Sequence, residues 1–259
     1  MAQAWKNVAR NALRPAFLPV MLRKVLKRTE RDTSAAATAW ARERARPIDA
    51  YCAAADPALW AETTARCEEM RAEVRAKLDA LGIDLGGGGA YPLLRFLVRW
   101  RRPEVVVETG VAAGWSSYAV LDALRANGGG RLLSSDFPYF RLDHPERYVG
   151  FAVPDDLRPG WHLDMRGDAA ALPDIVSRVD RIDLFHYDSD KSASGRAFAL
   201  RTAGRLIGRR GVVVMDDIQD NLFFRDWVAR EHLPYLVFEF EGKFLGVVGL
   251  PSEPGAAAR

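Results

Sequence analysis

Carboxylates stand at two places in the second half of the 259-residue chain. Asp188 follows the apolar run 182–187, and Asp216 and Asp217 follow the apolar run 212–215. If these runs are parallel strands, their carboxyl ends meet at one edge of a sheet, so we expect the three carboxylates to converge. Three unneutralised carboxylates would repel one another, and a hard divalent cation with oxygen ligands would relieve that repulsion. We therefore predict a Mg²⁺ site at Asp188, Asp216 and Asp217.

Two neighbours of Asp188 have chemistry of their own. Asp190 lies two positions further along the predicted loop, and the sequence leaves open which of Asp188 and Asp190 is the ligand. His186 lies two positions earlier and shares a strand face with Asp188. We interpret His186 as a hydrogen-bonded core residue, since that is the more common role of a histidine on a buried strand.

A second segment, residues 105–117, reads as an apolar strand, a turn with Gly110 and Gly114, and the start of a helix. Glycines permit a tight turn and a close approach of the backbone to a ligand, and a helix N-terminus offers unpaired N–H groups to a carboxylate or phosphate. The spacing is neither that of a dinucleotide fingerprint nor that of a P-loop. The acidic Glu108 on the strand favours a ligand with an amino group.

The elements that must position these residues follow a regular order. From Tyr91 onward strands alternate with helices, which predicts an α/β fold with a mostly parallel sheet. Two strands flank Glu241-Gly242-Lys243 and predict a C-terminal antiparallel hairpin. The seven predicted strands are 105–108, 131–135, 162–165, 182–187, 212–215, 235–240 and 244–250.

The N-terminal third has a different pattern. Residues 33–46 and 57–81 have apolar residues at helical spacing, and the glycine run 86–89 marks a boundary. Residues 1–30 mix apolar residues with several lysines and arginines and predict a basic helical arm that packs on the protein's own core or on a second subunit, with a membrane surface as the alternative. We therefore divide the chain into a helical arm or lid (1–85), a catalytic domain (90–250) and a flexible tail (251–259).

The strand, glycine turn and helix around Glu108, Gly110 and Gly114 resemble motif I of class I S-adenosylmethionine (SAM)-dependent methyltransferases. The resemblance implies a Rossmann-like sheet, SAM as cofactor, Glu108 near the methionine moiety and Ser116 at the methionine carboxylate. Asp136, at the end of the next strand, can accept both ribose hydroxyls.

Two further details bear on this resemblance. It implies that Asp168, after the third strand, contacts the adenine amine, although Asp168 could instead cap the helix that begins near Ala169. The run Asp136-Phe137-Pro138-Tyr139 looks like the D-P-P-Y motif of methyltransferases that act on base amines. It follows the second strand, whereas that motif follows the fourth, so base methylation is disfavoured.

Asp188-x-x-Lys191 together with Asp216-Asp217 resembles the metal site of catechol-type O-methyltransferases, with Asp217 where those enzymes have asparagine. The same two places, the residues from Asp188 onward and the pair Asp216-Asp217, are also similar to the macrocin-type sugar and macrolide O-methyltransferases. The resemblance covers about residues 91–250 and implies methyl transfer to a hydroxyl of a sugar, a macrolide or a phenolic metabolite. In this reading the metal lowers the pKa of the hydroxyl and Lys191 removes its proton, so Asp188 and Lys191 are the predicted catalytic residues.

The amino-acid composition limits the classes of protein to which the chain can belong. The net charge of +3 demands no nucleic-acid partner, and the first thirty residues lack the apolar run of a signal peptide or a membrane span. Cys52 and Cys67, the only cysteines, fit a reduced cytoplasmic setting. We expect a soluble cytoplasmic enzyme, with a homodimer through the arm as a weaker expectation.

Three alternatives remain at this stage. A metal-independent methyltransferase would use the acids only to orient its substrate. A non-catalytic SAM-fold module would use the basic arm to bind a partner or an anionic membrane. A nicotinamide oxidoreductase is disfavoured by the spacing of the glycine turn.

Overall fold

The computed structural model describes residues 2–14, 17, 34–82, 85 and 87–254, and its centre is an eight-stranded sheet. The strands are β1 (Ala45–Pro47), β2 (Val105–Thr109), β3 (Arg131–Ser135), β4 (Trp161–Asp164), β5 (Ile182–Tyr187), β6 (Ile207–Met215), β7 (Tyr235–Phe240) and β8 (Lys243–Val248). The helices are α1 (Ala2–Ala12), α2 (Ser34–Arg44), α3 (Ile48–Ala55), α4 (Pro57–Leu81), α5 (Tyr91–Arg101), α6 (Trp115–Ala126), α7 (Asp168–Val176), α8 (Ala193–Ala203) and α9 (Phe223–Arg230).

The strand order is β1-β7-β8-β6-β5-β2-β3-β4. Neighbouring strands are parallel except at β8, which is antiparallel to both β6 and β7. The predicted α/β class, the mostly parallel sheet and the C-terminal hairpin are confirmed.

The number of strands is larger than the seven predicted. β1 lies in the N-terminal segment and adds an edge strand, with Ala45 paired in parallel with Val237. Its three residues have neither an apolar run nor an alternation, and Pro47 is tolerated because an edge strand needs fewer backbone donors. β6 begins at Ile207, five residues before the predicted start, because Ile207 pairs with Ile182 ahead of a bulge.

Hydrophobic cores cover both faces of the sheet. On β2, Val106 packs with α3, α4, α5 and α6, whereas Val105 and Val107 pack with α2, α7, α8 and α9. Successive side chains of a strand point to opposite faces, so a continuous apolar run is what a doubly covered parallel strand requires.

The N-terminal helices share the core of the catalytic sheet. Asp56 caps α4 by accepting a hydrogen bond from the Leu59 N–H, and Asp122 of α6 pairs with Arg66 of α4 (3.1 Å) and Arg95 of α5 (3.0 Å). Arg95 and Asp122 are buried, so this ion pair holds three helices together.

α1 lies against the loop that follows β3. The Asn11 amide donates to the carbonyls of Phe140 (2.8 Å) and Leu142 (3.1 Å), and the Asn7 amide donates to the carbonyl of Arg141 (3.2 Å). Residues 18–33, which make up much of the predicted arm, and residues 255–259 of the predicted tail lie outside the described part of the chain. Among the described helices, none is both long enough and apolar enough to cross a bilayer.

Candidate active site

The carboxyl ends of four parallel strands are joined by backbone hydrogen bonds. The Gly110 N–H donates to Ser135 O (2.8 Å), the Asp188 N–H to Thr109 O (2.8 Å) and the Asp216 N–H to Tyr187 O (2.9 Å). These bonds align the loops that follow β2, β3, β5 and β6. The structure therefore brings the glycine turn and the acidic residues to one edge of the sheet.

Both glycines of the turn adopt positive φ, +83° at Gly110 and +98° at Gly114. A Cβ at Gly110 would lie 2.3 Å from the carbonyl oxygen of Asp188, and a Cβ at Gly114 would lie 2.9 Å from the Cα of Gly150. The predicted tight turn is present. The closest atoms belong to the protein's own backbone, so chain packing by itself requires glycine at both positions.

Asp136 and Asp168 lie at the ends of the next two strands. Asp136 Oδ2 accepts the N–H groups of Val111 (3.1 Å) and Ala112 (2.7 Å) and so holds the glycine turn. Asp168 accepts hydrogen bonds from the hydroxyls of Ser135 (2.6 Å) and Ser189. Asp168 is the first residue of α7, and Gly167 occupies the N-cap position of that helix.

Glu108 is fully enclosed beneath the turn. Its Oε2 accepts hydrogen bonds from the hydroxyls of Ser117 (2.6 Å) and Ser134 (2.8 Å), and its Oε1 lies 3.4 Å from Nδ1 of His186. Burial alone would raise the pKa of Glu108, but His186 and the hydroxyls of Ser116 and Ser117 outweigh it and lower the pKa. The carboxylate is therefore ionised and held by protein groups. Ser116, the predicted carboxylate ligand, is buried beside it.

Three side chains at the ends of β5 and β6 form a compact group. His186, Asp188 and Asp216 each place one ligand atom within 4.8 Å of the other two. Asp216 is 4% exposed, and burial together with the charge of Asp188 raises its pKa to about 6. A Cβ on Gly89 would lie 2.3 Å from Asp216 Oδ2, so the glycine run covers this carboxylate directly.

Asp217 faces another way. Its carboxylate pairs with Lys191 (3.0 Å) and Lys243 (3.4 Å) and accepts a hydrogen bond from the Gln219 amide (3.0 Å). Burial would raise the pKa of Asp217, but Lys191 and then Lys243 lower it to about 2. Of the three predicted metal ligands, the structure thus groups Asp188 and Asp216 with His186 and turns Asp217 toward two lysines.

Lys191 bridges the two carboxylates, with its ammonium paired to Asp188 and to Asp217. Burial would lower the pKa of Lys191, but the neighbouring carboxylates raise it above its usual range. Asp190 accepts the Ser192 N–H (3.0 Å) and packs against Gly195 at the start of α8. It is outside the group of three, which favours Asp188 over Asp190 as a ligand.

Sequence reasoning missed Arg196, which is fully buried in α8. Its guanidinium donates to the backbone carbonyls of Asp216 (3.2 Å) and Asp217 (2.7 Å) and to the side-chain oxygen of Asn221 (3.0 Å). It therefore fixes the loop that carries both acids. A single arginine in an amphipathic helix gives no signal of this role in the sequence.

Two cavities lie beside the glycine run. The larger, of about 620 Å³, is lined in part by Arg71, Arg75, Tyr91 and Trp115. A smaller one, of about 70 Å³, reaches from residues 87–90 to Asp216, Lys243 and Leu245. A small molecule that entered here would meet the acidic group.

Comparisons with known proteins give one match in sequence, over less than half of the chain. Residues 107–218 match the family model described as a methyltransferase domain. No curated protein matches the chain in sequence.

Solved structures resemble the fold at low sequence identity. The O-methyltransferase from Bacillus cereus, in complex with SAH, is 16% identical, with 70% of this chain and 90% of that chain covered and a TM-score of 0.55. A putative caffeoyl-CoA O-methyltransferase from Staphylococcus aureus is 11% identical (68% and 90% covered, TM-score 0.52). An O-methyltransferase from Streptomyces achromogenes involved in tomaymycin synthesis, in complex with SAM, is 16% identical (69% and 86% covered, TM-score 0.51).

Proposed function

We propose that this chain, whose residues 107–218 match the family model of a methyltransferase domain, transfers the methyl group of SAM to a hydroxyl of a small molecule such as a sugar, a macrolide or a phenolic metabolite. The observation that carries the proposal is the convergence of Asp188, Asp216 and Lys191 beside the glycine turn. The cavity of about 620 Å³ has room for an acceptor, and the smaller cavity, which shares Gly87 and Gly88 with it, reaches Asp216.

The cofactor would lie along the ends of β2, β3 and β4. SAM supplies an electrophilic methyl group on a sulfonium. In the proposed mode Ser116 and the first N–H groups of α6 hold the methionine carboxylate, Asp136 the ribose hydroxyls and Asp168 the adenine amine. No side chain caps α6 at Gly114, which leaves this helix terminus open to an anionic group.

The acidic group would hold a divalent cation, and Mg²⁺ fits its carboxylates. Such an ion lowers the pKa of a bound hydroxyl. The buried carboxylate of Asp216, with its raised pKa, is the kind of group that a cation stabilises in its charged form. Asp188 and Asp216 are the proposed ligands from this group, and Asp217 is a proposed third ligand that would have to leave Lys191 and Lys243 to reach the ion.

Lys191 is the proposed base. Its Nζ is positioned by Asp188 and Asp217, and in the protein as it stands it carries its proton. It can accept the acceptor's proton only after that ammonium has been deprotonated. Positioning of the oxygen and the methyl group in line contributes the rest of the rate advantage.

One observation favours a metal-independent enzyme as the second candidate. Lys191 already neutralises part of the charge of Asp188 and Asp217 without any added cation. In that case the carboxylates orient the acceptor, and methyl transfer survives chelation.

The deciding experiment is calorimetric titration of SAM with and without Mg²⁺, on the wild type and on the double variant Asp188→Ala/Asp216→Ala. A panel of hydroxylated acceptors is then assayed for one added methyl group by mass spectrometry. SAM binding with a Mg²⁺ heat that the double variant lacks supports the metal-dependent enzyme. SAM binding without a Mg²⁺ response supports the second candidate, and absence of SAM binding contradicts both.

A further inference from the structure

We propose that His186 is a protein ligand of the cation and that Glu108 is the positioning residue that orients its ring. The inference rests on the proposed cation site and changes its ligand set to His186, Asp188 and Asp216. Glu108 then acts through the histidine, in addition to or in place of a contact with the cofactor.

The sheet register places these groups together. Glu108 on β2 is the pairing partner of His186 on β5, and His186 and Asp188 are two residues apart. β5 in turn pairs with β6, whose end leads into Asp216. Two ligand atoms that each lie about 2.1 Å from one ion are at most about 4.2 Å apart, so a spread of 4.8 Å needs only a small contraction to enclose a cation.

Asp216 is the second observation that points to a ligand. The exposed fraction of Asp216 is 4%. Among the residues that the structure describes, none makes a hydrogen bond or an ion pair with its carboxylate. Buried charges in proteins are normally paired or coordinate a metal. The carboxylate lies against Asp188 and His186, so the missing partner belongs between these three side chains.

Glu108 and His186 have the arrangement that orients histidine ligands. A metal-bound histidine usually gives its other ring N–H to a carboxylate, which fixes the tautomer and the ring orientation. Here Nδ1 of His186 lies 3.4 Å from Oε1 of Glu108. Glu108 is itself held by Ser134, which accepts a hydrogen bond from the Trp161 indole (2.9 Å).

Asp217 is the matched control. It directly follows Asp216 in the chain, but both of its oxygens are occupied, Oδ2 by Lys191 and Oδ1 by Lys243 and Gln219. Asp188 pairs with Lys191 through Oδ1. If the inference is right, replacing Asp217 affects cation binding far less than replacing His186.

The test uses Mn²⁺ alone as the probe on the full chain. Pulsed electron paramagnetic resonance of wild-type protein with Mn²⁺ is expected to show the nitrogen coupling of one directly bound imidazole. In titrations, the affinity for Mn²⁺ is expected to be about 10- to 100-fold weaker in His186→Gln and Glu108→Gln than in the wild type. In the control variants Asp217→Asn and His162→Gln, the affinity is expected to stay within threefold of the wild type. SAM affinity, measured on the same samples, is expected to stay within threefold in His186→Gln, because His186 is not among the groups proposed to hold the cofactor.

Each other outcome has a separate meaning. Mn²⁺ binding without a nitrogen coupling, or a larger loss in Asp217→Asn than in His186→Gln, overturns the inference and leaves the proposed function standing. Absence of Mn²⁺ binding by a wild-type protein that binds SAM and methylates an acceptor overturns the inference together with metal dependence, but not methyl transfer. If circular dichroism shows that His186→Gln does not fold, the wild-type nitrogen coupling alone decides.

Discussion

Lys191 illustrates how strongly single residues depend on their surroundings in this site. With carboxylates on two sides, its pKa lies above the usual range, so free Lys191 is a cation that positions Asp188 and Asp217. For Lys191 to act as the proposed base, the surroundings of its ammonium must become less negative when substrate and cation bind.

Lys191→Met is therefore expected to lower kcat for methyl transfer by about 10²- to 10⁴-fold, the usual contribution of a general base. SAM affinity is expected to stay within threefold, because Lys191 is not among the groups proposed to hold the cofactor. Lys191→Arg keeps the charge but cannot give up a proton at neutral pH, so it is expected to be as inactive as Lys191→Met. An active arginine variant would contradict the role as base.

The two cysteines give a residue-scale prediction about pH. Burial raises the pKa of Cys67 to about 12 and raises that of Cys52 further. The reactive thiolate exists only above the pKa, so at pH 8 both thiols are protonated. We expect iodoacetamide to leave both unmodified in native protein and to modify both in urea, as read by mass spectrometry. Rapid modification of the native protein would show that the thiols are accessible.

The residues of the site were predictable to different degrees. Asp188 and Asp216 follow apolar strands and were predictable because strand ends converge. His186 is buried and lies within hydrogen-bonding distance of Glu108, as the predicted core role requires. Its proposed role as a ligand was not predictable, because a histidine on a buried strand has the same sequence pattern whether it faces the core or a cation. The direction of Asp217 depends on a positive φ of 52° and on Lys243 from another strand, which no local pattern encodes.

At the scale of elements, the strand-to-helix turn after β2 leaves no space for a side chain. Gly110→Ala places a Cβ against the Asp188 carbonyl at a positive φ, so we expect it to lower the free energy of unfolding by about 2–4 kcal/mol. Gly129→Ala is the control, since a Cβ there meets nothing within 4 Å. Urea denaturation of both variants measures the difference, and equal stabilities would contradict the packing argument.

The ion pair between helices is a second prediction at this scale. Asp122→Ala would remove the buried acidic partner of Arg95 and leave it only Glu62, whose side chain is 46% exposed, so we expect a loss of about 3 kcal/mol in the free energy of unfolding. The exposed pair of Arg230 and Glu231 is the comparison, and Glu231→Ala is expected to cost less than about 1 kcal/mol. A small effect of Asp122→Ala would mean that the packing of α4, α5 and α6 does not depend on this carboxylate.

Strands with continuous apolar runs were predictable, and the three-residue edge strand was not. The apolar strands β2, β3 and β5 were found nearly to the residue because burial on both faces demands continuous apolar runs. β1 was missed because its pairing is set by β7, almost two hundred residues away, and not by its own composition.

For the whole molecule, SAM binding should be visible as stabilisation, because a ligand that binds only the folded chain raises its stability. At a concentration one hundred times its Kd, the gain is about 2.7 kcal/mol, which corresponds to roughly 5–10 °C in Tm for a chain of this size. Differential scanning calorimetry with SAM, and with NADH as the control, measures it. A shift with NADH and none with SAM would favour the oxidoreductase reading.

The pairing of β1 with β7 also bears on how the chain is made. Ala45 leaves the ribosome long before its partner Val237 exists, by a delay on the order of tens of seconds at ordinary rates of translation. During that interval β1 cannot pair with β7. Ile48 and Tyr51 of α3 then have only part of the core to pack against. The apolar side chains of α3 therefore stay partly unpaired with their core until the C-terminal hairpin has been synthesised.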